Sequence, residues 1–191
     1  MDRVILASSS PRRQELLSQA DIKYSLCVKN IDETIPEGYT PEQAVEYLAR
    51  EKAEAVSEIN DEAVIIGADT VVVLDGNILG KPKNTEDAIN MLLSLSGREH
   101  QVITGVCLTK GKHSRVFHVT SKVKFYEISY TEALHYVKTG EPMDKAGGYG
   151  IQGKGCVFVE SIEGDYYNIV GLPIARVVRE LKKIQGEISD D

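Results

Sequence analysis

The stretch Ala63-Val-Ile-Ile-Gly-Ala-Asp-Thr-Val-Val-Val-Leu-Asp75 is a β-branched apolar run broken in its middle by one carboxylate. Such a run reads as a strand buried on both faces of a covered sheet. Asp69 is therefore the anomaly: an acid there must be paired, hydrogen-bonded or metal-bound, because an unpaired buried charge is costly. Gly67 and Ala68 precede it. A glycine inside a strand usually marks a bulge, a bend or close approach of a ligand, so the strand is expected to break at Gly67 and deliver Asp69 into a cleft. A structural Asp satisfied by backbone groups at a kink is the competing reading.

The flanking pattern supplies the other elements. Arg3–Ala7 reads as a short strand, and Ser10 with Pro11 behind it opens a helix carrying Arg12 and Arg13 in its first turn. Ile22–Val28 alternates like a strand and runs into Asp32-Glu33-Thr34. Thr40-Pro-Glu-Gln43 is a capping box, opening a helix to about Ile59 with Val45, Leu48, Val56 and Ile59 on its apolar stripe. Lys52 falls on that stripe, either snorkelling or facing an anion. Leu74-Asp-Gly-Asn77 signals a two-residue hairpin, whose returning strand carries Lys81 back. Asn84 or Thr85 caps a helix over Ala88, Met91, Leu92 and Leu95 that ends at Gly97. Gln101–Thr109 and Ser114–Phe125 read as an antiparallel hairpin at one end of the molecule. Ser129-Tyr-Thr-Glu132 is a second capping box. Cys156–Val159 and Tyr166–Val170 read as a last hairpin around Gly164-Asp165, and Pro173 starts a final amphipathic helix.

With 191 residues, 42% of them hydrophobic, the chain can bury a real core. Its net charge of -7 argues against a broad nucleic-acid-binding surface, so any bound anion must be held by a local cationic cluster. Cys27, Cys107 and Cys156 form no CxxC pair and read as small core residues in a reducing compartment. No apolar run reaches membrane-spanning length and the first residues do not form a signal peptide, so a cytoplasmic protein without a membrane partner is expected.

Two stretches carry candidate chemistry. Ser8-Ser9-Ser10-Pro11-Arg12-Arg13 places cations where a helix dipole is already positive, an arrangement that an arriving anion would relieve. With hydroxyls and guanidinium forks it makes a phosphate receptor; a solvated arginine pair is the plainer reading. Glu141-Pro-Met-Asp-Lys-Ala-Gly-Gly-Tyr-Gly-Ile-Gln-Gly-Lys-Gly155 is unusually glycine-rich for a loop that also holds Met, Tyr and Ile. Its glycines allow positive φ and close approach of a ligand, while Asp144, Lys145 and Gln152 supply polar groups.

Taken together, Ser8–Arg13, Asp32-Glu33-Thr34, Lys52, Gly67-Ala68-Asp69-Thr70, Gly80-Lys81-Pro82 and Met143–Gln152 closely resemble the Maf family of nucleoside triphosphate pyrophosphatases over essentially the whole chain. The resemblance implies one α/β domain over residues 1–191. Its fold would be like that of inosine triphosphate pyrophosphatases, a long central mixed sheet with two α/β lobes flanking a cleft. It implies hydrolysis of a nucleoside triphosphate to the monophosphate and pyrophosphate with a divalent cation, Mg²⁺ or Mn²⁺. Asp69 matches the acidic active-site residue; Arg12, Thr70 and Gln152 match positions tied to base selection in the branch acting on dTTP and UTP. A house-cleaning role against modified pyrimidine nucleotides, a link to septum formation and division arrest, and a homodimer are further implications.

The expected machinery follows from charge. Arg12, Arg13, Lys52 and Lys81 would offset a triphosphate that carries about four negative charges, with Ser8 and Ser10 adding donors. Glu33 and Asp69 would supply metal oxygens, and Asp69 would either take the proton of the attacking water or hold the metal. Asp144, Lys145 and Gln152 would meet the substrate. The alternatives are a pyrophosphatase acting on 7-methyl-GTP and a division regulator that binds nucleotide without cleaving it.

Overall fold

The computed structural model describes residues 3–60 and 62–186. Among these residues seven strands form one mixed sheet in the order β2-β1-β3-β5-β6-β7, with β4 pairing β3 off that path. The strands are β1 (Val4–Leu6), β2 (Tyr24–Leu26), β3 (Val64–Leu74), β4 (Asn77–Leu79), β5 (Glu99–Lys110), β6 (His113–Phe125) and β7 (Val159–Glu163). Among the described residues six α-helices accompany them: α1 (Pro11–Gln19), α2 (Pro41–Ser57), α3 (Thr85–Leu95), α4 (Tyr130–Val137), α5 (Tyr166–Val170) and α6 (Ile174–Ile184). The α/β class expected from the sequence is the one observed.

The chain divides into two compact units. The first takes its described residues from within 3–69, 104–119 and 171–186. Here β1 pairs in parallel with both β2 and β3, a pairing that needs crossover connections, which α1 and α2 supply. Thr40 and Gln43 form the capping box, and Ala44, Val45, Leu48, Ala49, Ala53 and Val56 are the buried face of α2. Ile59, expected on that stripe, is 60% exposed. The helix has already ended at Ser57, so the periodicity no longer turns residue 59 inward. Ile5, Ala7, Ala49, Ala53, Val56, Ala63, Ile65 and Cys107 form one buried cluster of this unit.

Strand β3 does not break at Gly67. It runs unbroken from Val64 to Leu74, buried throughout except at Asp69 and Thr70, which are half-buried. The glycine answers a different demand: a Cβ at residue 67 would collide with the carbonyl of Ala49 and lie 2.8 Å from the amide nitrogen of Ala53. Helix α2 thus presses its backbone onto the strand at this point.

The second unit comprises Thr70–Ile103 and Thr120–Val170. Its core gathers Val72, Leu74, Leu92, Leu95, Phe125, Tyr136, Tyr149 and Phe158 among others. The turn between β3 and β4 has positive φ at both central residues, 51° at Asp75 and 78° at Gly76, the backbone of a type I′ turn. Asn84 caps α3, and Ser129 with Glu132 caps α4 as a second capping box.

Three expectations are corrected. The hairpin of β5 and β6 is internal to the sheet, with β3 on one side and β7 on the other. Lys154–Phe158 is a 3₁₀ helix and Tyr166–Val170 is α-helical, so no terminal hairpin forms. Asp165 Oδ1 accepts the N–H of Tyr167 at 2.8 Å, and the buried Asn168 amide donates to Val102 O at 3.0 Å and to Ser121 Oγ at 2.9 Å. These contacts outweigh the strand propensity of Tyr, Ile and Val. Of the cysteines only Cys107 is buried; Cys156 is exposed.

Candidate active site

In the first unit, the register fixes where the polar residues emerge. Val4–Leu6 of β1 pairs with Val64–Ile66 of β3, and Ala7 N–H continues the ladder to Ile66 O at 2.8 Å. Ser8 therefore sits just past the carboxyl end of β1. Asp69, three residues past Ile66, lies on β3 beyond the point where β1 has ended, so it is uncovered beside the carboxyl end of β1, where open α/β sheets present ligand sites.

Lys52 reaches Asp69 from α2. Its Nζ donates to Asp69 Oδ1 at 2.6 Å and lies 2.9 Å from Glu33 Oε1. The Lys52 and Asp69 side chains are 17% and 15% exposed, whereas Glu33 is 61% exposed. One ammonium thus holds two carboxylates from separate segments, one in partial shelter and one facing water. The loop that presents Glu33 is itself fixed. Asp32 Oδ1 accepts the Thr34 hydroxyl at 2.6 Å and the Thr34 N–H at 2.9 Å. Those two bonds, the hydroxyl's first, hold the Asp32 carboxyl below the ordinary carboxylate range.

The turn after β1 adds cations. Arg13 Nη1 donates to Ser8 Oγ at 3.0 Å and Arg13 Nε to Gly171 O at 2.8 Å. Ser8 is buried, and its Oγ also accepts the N–H of Ser10 at 3.3 Å. Ser10 is the N-cap of α1 without a side-chain cap bond, and no acid stands in the first turn to balance the two arginines. Burial lowers the Arg13 pKa; the charges of Asp69 and Glu33 work in the opposite sense, and Arg12 adds to the lowering. Arg13 therefore lies within the electrostatic reach of both carboxylates. Ser8, Arg13, Glu33, Lys52 and Asp69 form one constellation, with Arg12 half-buried beside it.

The remaining residues expected at the site belong to the second unit. Thr70 is half-buried on β3, Lys81 and Gln152 are exposed, and Lys145 is turned into its own loop. Its Nζ donates to Glu141 O at 2.6 Å and to Asp144 Oδ1 at 2.7 Å. The glycine-rich loop folds as three short 3₁₀ turns, Glu141–Asp144, Ala146–Gly148 and Lys154–Phe158. Positive φ is needed at Gly147 and Gly148, as expected. At Gly150, Gly153 and Gly155 glycine serves packing inside the chain. A Cβ at 153 would strike the Glu141 carboxylate, one at 150 would lie 2.6 Å from Lys145 Cε, and one at 155 would lie 2.9 Å from Tyr136 Oη.

Glu141 and Tyr136 escaped the sequence reading. Glu141 Oε1 accepts the Tyr136 hydroxyl at 2.9 Å and the Gly155 N–H at 3.3 Å, and its Oε2 accepts the Lys154 N–H at 3.0 Å. Burial raises the Glu141 pKa, but the bonds from Lys154, Tyr136 and Gly155, together with the charge of Lys145, outweigh it and lower the pKa. The only local signal was the spacing of glycines at 150, 153 and 155. Nothing in sequence says that the group Gly153 makes room for is an acid twelve residues earlier.

The sequence profile of Maf-like proteins matches residues 3–184. The chain belongs to the Maf family. A dTTP/UTP pyrophosphatase from Geobacillus sp. (strain WCH70) is 51% identical over 184 residues, covering 96% of this chain and 99% of that protein. A dTTP/UTP pyrophosphatase from Bacillus cytotoxicus is 48% identical over 189 residues, covering 99% of each. Among solved structures, a HAM1 protein from Coxiella burnetii aligns with 98% of this chain and 100% of its own, at a TM-score of 0.51 and 14% identity. At that identity the likeness is one of fold. Among the described residues no helix is long and apolar enough to cross a membrane.

Proposed function

We propose that the chain hydrolyses dTTP and UTP to the monophosphate and pyrophosphate, using the Ser8, Arg13, Glu33, Lys52 and Asp69 constellation for the chemistry. The observation that carries this reading is the Lys52 ammonium bound to Asp69 at 2.6 Å and Glu33 at 2.9 Å within the field of Arg13. The relatives named dTTP/UTP pyrophosphatase, at about half identity over nearly full length, support the substrate class.

Each group has a task that its placement suits. Arg13, oriented by Ser8 and the Gly171 carbonyl, meets phosphate oxygens with Arg12 beside it, and Lys81 is assigned to the same anion. Their charges offset the roughly four negative charges of the triphosphate. Lys52 keeps Asp69 and Glu33 aligned by a shared ion pair. The two carboxylates offer the hard oxygen ligands that Mg²⁺ or Mn²⁺ prefers, and they converge from different segments on one point, so the donor set fits such a cation. Among the described residues no cluster of three or more His, Cys, Asp or Glu side chains could hold it alone, which suits an ion also held by phosphates and water. When bound, the cation would neutralise phosphate charge and acidify the attacking water. Asp69 either accepts that water's proton or serves as a ligand, while pyrophosphate leaves in line. Thr70, Asp144, Lys145 and Gln152 are assigned to the nucleoside, with Arg12, Thr70 and Gln152 selecting the base.

A panel of dTTP, UTP, CTP, GTP and 7-methyl-GTP with Mg²⁺ or Mn²⁺, scored separately for pyrophosphate and orthophosphate, tests the reading. Pyrophosphate from dTTP and UTP is the expected result. Saturable binding without cleavage, preference for 7-methyl-GTP, or orthophosphate alone would each reject it.

A further inference from the structure

We propose that Glu141 is the positioning residue of the base-reading loop: its carboxylate fixes the backbone that presents Gln152 to the nucleotide. The inference rests on the assignment of Gln152 made above.

Gln152 is exposed, so its place is not fixed by burying its own side chain. What fixes it is the backbone on either side. On one flank, Gly150 N–H donates to Tyr136 Oη at 3.0 Å, and that hydroxyl donates onward to Glu141 Oε1 at 2.9 Å. On the other flank, Lys154 and Gly155 donate to Glu141 at 3.0 and 3.3 Å. The short arch from 150 to 155 is thus bracketed by one carboxylate, directly on one side and through a buried tyrosine on the other. Lys145, a second residue assigned to the nucleoside, is tied by its ammonium to the carbonyl of Glu141 itself. The absence of side chains at 150, 153 and 155 lets the bracket close.

A carboxylate that accepts three donors is hard to replace, since each donor left unmet in partial burial costs free energy. The consequence for function is preorganisation. A loop held in its binding shape before the nucleotide arrives removes an ordering cost from binding, and a base-selecting amide held at a fixed height discriminates more sharply between bases.

The test compares Glu141→Ala, Glu141→Gln and Tyr136→Phe with the parent enzyme. Hydrogen exchange without nucleotide should accelerate at the Lys154 and Gly155 amides in Glu141→Ala. KM for the best triphosphate should rise about tenfold with kcat changed less than about threefold, the signature of lost binding rather than lost chemistry. The preference for that base over others should narrow. Glu141→Gln, which retains one acceptor oxygen, should recover part of each effect, and Tyr136→Phe should loosen chiefly the Gly150 flank. Unchanged exchange, or faster exchange with an unchanged KM and base preference in a protein of native circular dichroism, overturns the proposal. So does a loss of thermal stability and kcat with KM intact. The substrate used is whichever triphosphate the parent cleaves fastest, so a wrong nucleotide assignment appears in the parent alone. If the parent cleaves none, dissociation constants replace KM and the same outcomes decide.

Discussion

Asp69 and Glu141 are both partly sheltered carboxylates, and the protein satisfies them in opposite ways. Asp69, in the first unit, faces an ammonium that it shares with Glu33. Glu141, in the second, is ringed by two backbone N–H groups and a phenol, all uncharged. An ion pair can exchange one partner for a metal ion or a phosphate, because attraction between mobile charges is easily redirected. Bonds from backbone donors cannot be lent without unfolding the backbone that makes them. On the function proposed above, the difference separates a reactive carboxylate from a constructional one. It extends to His100, also in the second unit, whose Nε2 meets the Tyr149 hydroxyl at 2.8 Å while burial lowers its pKa to about 4.

The proposed chemistry makes Asp69 the more sensitive of the two acids. Asp69→Asn should lower kcat by about a hundredfold or more, the range for losing a general base, with far-UV circular dichroism unchanged; near-parental pyrophosphate release would end the assignment. Acid should act on the second unit. His100 is neutral when folded down to about pH 4 but takes a proton at about pH 6.5 when unfolded. Between those values the unfolded state binds more protons, so stability falls as pH drops through that window, by roughly 3 kcal/mol in total. Urea midpoints at pH 7 and pH 4.5 measure it, and His100→Gln should flatten the slope.

Gly67→Ala should cost about 1 to 3 kcal/mol by forcing α2 off β3, read as a lower thermal midpoint. Lys52→Met should abolish turnover, because two carboxylates lose the cation that aligns them. Its stability cost should be smaller, about 1 to 2 kcal/mol, and largely restored in Lys52→Met with Asp69→Asn. A rise in thermal midpoint for Lys52→Met alone would show that the lysine serves no charge balance.

Features decided by a few consecutive residues were readable in the sequence. The capping boxes at Thr40 and Ser129 and the Asp75-Gly76 turn need only local geometry. Asp69 was legible as an acid that needs a partner, because an unpaired charge in a run of Val and Ile is costly, and Lys52 because it interrupts a helical stripe; the two meet at 2.6 Å. What stayed hidden was decided by distant chain. Gly67 read as a break since the helix that needs its bareness is far away in sequence. Tyr166–Val170 read as a strand since Asn168 finds its carbonyl 66 residues earlier. Glu141 looked like any loop acid until its three donors were in view.

The interlock of Glu141 with its glycines also limits how this loop can change over generations. An alanine at 153 would push the Glu141 carboxylate out of its place, and removing that carboxylate strands the donors at 154 and 155. Either step alone is harmful, and the pair together still leaves those donors to be met by some third group. The segment should therefore drift as a block, inherited whole or rebuilt whole.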